Sequence, residues 1–96
     1  MTQLDKVVRG IRQALLDTDV GVFKAALEAT RVTSSVAKDG LNPHLKALLM
    51  QISKRALKSK FRDDVTLTLQ TLEENGGPPA LKQIKAKVPT YTTVYI

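Results

Sequence analysis

The chain has 96 residues, 43% hydrophobic and 25% charged, a balance that suits one soluble globular domain and a length too short for two separate cores. Fifteen Lys and Arg against nine Asp and Glu leave a net charge of +6, which favours an acidic or phosphate-bearing partner. With no cysteine, disulfides, thiolate metal sites and cysteine nucleophiles are excluded, and a cytoplasmic or other reducing compartment is expected.

From the start of the chain, Thr2 and Asp5 have the spacing of a helix N-cap, and Leu4, Val7, Val8, Ile11 and Leu15 recur at helical intervals. They predict a first helix over about residues 3–16. Gly10 inside it lowers helix stability by ~1 kcal/mol relative to Ala, which suggests that a close neighbour needs the space. Asp17, Thr18 and Asp19 are a cluster of capping residues. A second helix is expected from there to about Thr30, with Val22, Phe23, Ala26 and Leu27 as its buried stripe. Residues 31–42, rich in β-branched and small polar side chains, read as a linker holding one helical turn.

Asn42-Pro43 predicts a third helix start, Asn capping and Pro giving up an amide that would be orphaned anyway. Leu45, Leu48, Leu49, Ile52 and Ala56 share one arc and carry this helix to about residue 58. Phe61, Val65, Leu69 and Leu72 mark a fourth helix, closed at Asn75-Gly76, where Gly would supply the left-handed cap. Gly77-Pro78-Pro79 makes a turn into a fifth helix of about 78–87, and Pro89 stops it. The tail, 90–96, is β-branched and aromatic without charge, and reads as a strand-like segment along the bundle or an arm that pairs with another chain. The expected architecture is therefore all-α: residues 1–88 form a small antiparallel bundle or short α-solenoid of four to five helices, and 89–96 form an interaction tail. No apolar run is long enough to span a bilayer, so no membrane partner is expected.

No residue constellation announces a reaction. His44 is the only histidine and lacks companions for a metal site. The adjacent carboxylates Asp63-Asp64 and Glu73-Glu74 diverge by about 100° on a helix, too far apart in direction to share a proton. Ser34 and Ser35 have no base in reach of a motif, and the prolines after Gly76-Gly77 remove amides that a phosphate cradle would use. A non-enzymatic protein without cofactor or metal is expected. Cations do cluster: between Asp39 and Asp63 there is no acid, while Lys46, Lys54, Arg55, Lys58, Lys60 and Arg62 accumulate. Lys54, Arg55 and Lys58 fall opposite Leu45, Leu49 and Ile52, which makes an outward ridge suited to an acidic protein groove or a phosphate backbone. Leu67 lies off the arc of its helix. With Tyr91 and Tyr95 of the tail it forms a candidate apolar interface on the fourth and fifth helices.

The segment Phe61-Arg62-Asp63-Asp64-Val65 leading to Leu69-Gln70-Thr71-Leu72-Glu73-Glu74-Asn75-Gly76, followed by Leu81-Lys82-Gln83-Ile84, resembles the smallest subunit of the actin-nucleating Arp two/three complex. Phe23-Lys24-Ala25-Ala26-Leu27 and the stretch from Val36-Ala37-Lys38-Asp39 to Leu45-Lys46-Ala47-Leu48 are similar to earlier helices of that family, in the same order over residues 17–87. The third helix is longer here, and the tail replaces the last helices of that subunit. The resemblance implies a small α-helical assembly subunit of the actin cytoskeleton. The first expectation is thus a scaffold that docks a protein partner. The second is a nucleic-acid-binding protein whose ridge contacts phosphates, as a homodimer on duplex RNA.

Overall fold

The computed structural model describes residues 3–55, 59–89 and 91. Five α-helices follow one another: α1 (Gln3–Leu15), α2 (Val20–Ala37), α3 (Leu45–Arg55), α4 (Arg62–Gly76) and α5 (Pro78–Lys87). Short 3-10 turns, Lys38–His44 and Ser59–Phe61, join α2 to α3 and lead into α4. Among the described residues there is no strand, and the all-α expectation holds. The helices form two layers. In one, α1 packs on α3 and α3 on α5; in the other, α2 packs on α4; α1–α2 and α4–α5 contacts tie the layers together. The resulting slab measures 34 × 34 × 18 Å.

Each helix contributes most of the apolar stripe that its periodicity implied, but Val7 of α1 and Val22 of α2, expected within those stripes, turn outward and are 39% and 38% exposed. Val8, Ile11 and Leu15 of α1 meet Phe23, Ala26 and Leu27 of α2, and Leu45, Leu48, Leu49 and Ile52 of α3 fill the middle with Val65, Leu69 and Leu72 of α4. Ala80 and Ile84 of α5 close the far side. Phe23 is wholly buried and tilted 59° against Phe61, their centroids 4.7 Å apart. The cap of α2 also matches: Asp19 Oδ1 accepts from the Val22 amide at 3.1 Å, and Asp17 Oδ1 accepts from the Asp19 amide at 2.8 Å. The Thr2 cap lies outside the described residues.

Three local expectations are corrected. Residues 31–37 are helix rather than linker. The Ser35 hydroxyl is satisfied locally on Val32 O, as that of Thr30 just before the stretch is on Ala26 O, and packing on α4 decides the rest. Ser34 is buried where Asn75 Nδ2 donates to its Oγ at 3.1 Å, and Arg31 Nη1 donates to Thr68 Oγ1 at 2.8 Å. Asn42 does not cap α3, which starts at Leu45. Its Nδ2 donates to Gly76 O at 3.1 Å, and its own carbonyl accepts from Gln83 Nε2 at 3.0 Å, so it staples the crossover to α4 and α5. The left-handed residue after α4 is Gly77, with φ 74°, while Gly76 stays helical. Gly76 needs its missing side chain for another reason: a Cβ there would fall on Asn42 Oδ1 and 2.6 Å from Ala80 Cβ.

Candidate functional site

The two-layer arrangement sorts the charges. The layer of α1, α3 and α5 carries three Lys or Arg on each helix, nine of the fifteen in the chain, against Asp5 as its single carboxylate. The layer of α2 and α4 carries Lys24, Arg31 and Arg62 against five carboxylates: Glu28, Asp63, Asp64, Glu73 and Glu74. Asp5 Oδ1 lies 3.3 Å from His44 Nε2, so the lone acid of the basic layer already has a neighbour to share its charge with. His44 lines a cleft of about 390 Å³ with Asp5, Arg9 and Arg12.

The six cations expected to form one ridge are dispersed by this geometry. Lys46 and Lys54 stand exposed on α3, Lys60 and Arg62 lie in the turn before α4 and at its first residue, and Lys58 is outside the described residues. Lys60 Nζ sits 5.3 Å from the centroid of the Phe61 ring. Arg55 turns inward. Its guanidinium covers the Phe23 ring at 4.5 Å, and its Nη2 donates to Asp17 O. Arg55 therefore closes the corner where α1, α2 and α3 meet. Arg55→Ala is expected to lower stability by about 1–2 kcal/mol, since both the ring contact and the carbonyl bond go. Lys54→Ala, one residue earlier, should stay within about 0.5 kcal/mol of the wild type in urea unfolding.

The candidate apolar interface is likewise redistributed. Leu67 is 50% exposed on α4. Tyr91 is buried, its hydroxyl donating to Glu73 Oε1 at 2.7 Å, and so serves the core instead of facing a partner. Tyr95 lies outside the described residues. An uncharged surface appears elsewhere, at the end of the stack. On α1, Gln3, Val7, Gly10 and Ala14 follow at three- and four-residue steps, and on α2, Val22, Ala25, Ala29, Val32 and Val36 do the same. Lys24 and Arg31, which contact Asp64 and Thr68, mark the side of α2 that faces α4, and this stripe turns away from it. Val32 and Val36 are 58% and 79% exposed. A cleft of about 360 Å³ runs between the helices, lined by Leu4, Val7, Val32, Val36 and Ala37 among others. The same stepping is written in the sequence. It was obscured because α2 was expected to end at Thr30, which cut the stripe in half. Gly10 lies on this face, and a Cβ there would meet nothing within 4 Å, so no neighbour within the chain requires the glycine.

Among the described residues no group of three acids, histidines or cysteines could hold a metal ion, and no helix is long and apolar enough to cross a membrane. Fold and surfaces define an all-α stack of two helical layers, with an uncharged end and one basic side. The model of the Parkin co-regulated protein family (ParcG) matches residues 1–93, and the chain belongs to that family. No solved structure matches it. The family match overturns the resemblance to the Arp two/three subunit, and the expected place in the actin cytoskeleton goes with it. The shared residues were those of a helix, an Asn-Gly stop and a second helix, which any stack of helical hairpins repeats.

Proposed function

We propose that the chain is a non-enzymatic docking module that holds a protein partner at the uncharged end face of α1 and α2. The observation that carries this reading is the end face itself: two helix stripes without a charge, in a chain that is one-quarter charged. The face that a helix turns away from the core is normally charged or polar. Here the outward surface has the aliphatic and small residues of an interior one. The occupant that fits is a helix pair of another polypeptide with an uncharged, small or aliphatic face. The opposite side of α1 and α2 is already covered in that way by α3 and α4. Gly10 and the alanines would let such a pair approach closely.

A photo-reactive residue placed at position 7 or 36, and at position 67 or 54 for comparison, tests this in cells. Cross-linking to one protein partner from 7 and 36, and not from 54 or 67, is the expected result. Products from 54 or 67 alone would move the docking surface. A self-linked dimer from 7 and 36 would replace the foreign partner with a second copy and defeat the reading as stated.

A further inference from the structure

The basic layer is a separate surface, independent of whether the end face docks anything. Between α3 and α5 lies a cleft of about 210 Å³ lined by Lys46, Gln83, Ala86 and Lys87. Little of its wall is polar, in keeping with lysine side chains that can line a cleft with their methylene stems. Met50, 42% exposed, lies on the same helix as Lys46, one turn further on. Among the described residues neither Lys46 nor Lys87 forms an ion pair.

We propose that this cleft, with the cations of α3 and α5 around it, docks an acidic polypeptide segment that inserts one apolar side chain between carboxylates. Charge complementarity selects the acids: besides the inward-turned Arg55, α3 and α5 carry five lysines and no carboxylate. The apolar walls select the central side chain, since a purely polar anion would leave them wet. Lys46 and Lys54 are eight residues apart, about 12 Å along the helix, a distance that an extended segment covers in about four residues. An acid, a spacer, an apolar residue, a spacer and a second acid match that span.

The cleft and the α3 and α5 surface around it fit nucleic acid less well. The cations on α3 and α5 are lysines except Arg55, and Arg55 is held against Phe23 and Asp17, so the forked guanidinium that grips phosphate is withdrawn. Neither α3 nor α5 carries an aromatic side chain on which a base could stack. Met50 is the only large apolar side chain exposed on these two helices, too little to anchor a lipid surface.

The test uses the full chain and a labelled twelve-residue Asp/Glu peptide with one central leucine, the same peptide with serine for leucine, and a duplex RNA of sixteen base pairs, each at two salt concentrations. The leucine peptide is expected to bind at least about tenfold more tightly than the serine peptide, a difference of about 1.4 kcal/mol. Lys46→Glu with Lys87→Glu should weaken it by a further tenfold or more, and Lys24→Glu on the other layer should not. Should the double reversal unfold by circular dichroism, Ala86→Asp replaces it, with the same loss expected. Equal affinity for the two peptides would reduce the surface to unspecific charge and overturn the proposal. Preference for the duplex, or no binding of any probe, would overturn it as well. Because position 36 is remote from this cleft, Val36→Glu leaves the peptide affinity unchanged if the two surfaces are independent.

Discussion

Phe23→Ala is expected to lower the unfolding free energy by about 3–5 kcal/mol, the range for truncating a buried aromatic ring. A chain of this length is held by roughly 5–14 kcal/mol in total, so one substitution removes about a fifth or more of it. The position explains the size. Phe23 is fully buried, packs on Phe61 of the turn before α4 and lies under the Arg55 guanidinium of α3, so its loss opens contacts to two other segments at once. Denaturant unfolding should show a lower midpoint with little change in slope. A loss below about 1 kcal/mol would mean that the corner collapses to fill the space, and would remove Phe23 from the centre of the core.

The second large effect is expected at Tyr91. Glu73 is 1% exposed and accepts the Tyr91 hydroxyl at 2.7 Å. Tyr91→Phe keeps the ring and deletes the donor, which leaves carboxylate oxygen less well satisfied at about 1–3 kcal/mol. Thermal unfolding should therefore begin about 10 °C earlier, given the 4–8 °C per kcal/mol typical of this chain length. Tyr91→Ala also removes the ring from its pocket and should fall further, toward about 3–5 kcal/mol. Indistinguishable melting of Tyr91→Phe and the wild type would show that the bond contributes nothing net. Tyr91, near the start of the tail read as a strand-like segment along the bundle or an arm that pairs with another chain, thus belongs to the core.

Helices were legible where an apolar arc and a cap coincide, as at Asp19 with Phe23, Ala26 and Leu27, because both signals are local. The second half of α2 was not. Thr33, Ser34 and Ser35 have the composition of a linker, and the packing on α4 that keeps this stretch helical, where Arg31 bonds Thr68 and Ser34 accepts from Asn75, spans 37 and 41 residues of sequence. Asn42 failed for a related reason: a side chain suited to capping was used for a distant carbonyl. Of the candidate site, the surplus of cations was readable from composition, but its distribution was not. Lys82, Lys85 and Lys87 join Lys46 and Lys54 only because α5 packs beside α3, whereas Arg55 leaves them because an aromatic ring lies within its reach. The uncharged end face was half visible in Val7, Gly10 and Ala14, and needed the true length of α2 to be complete.

Asn42 also governs how the molecule can come apart. A row of stacked helices tends to fray from its last member, because each member holds only its neighbours. Here the crossover after α2 is bonded to the backbone of Gly76 and to Gln83 on α5, so the final helix is moored to the middle of the row. Peeling α5 away would have to unfasten the crossover too. That mooring turns a succession of helices into one cooperative body and keeps both of its surfaces present or absent together.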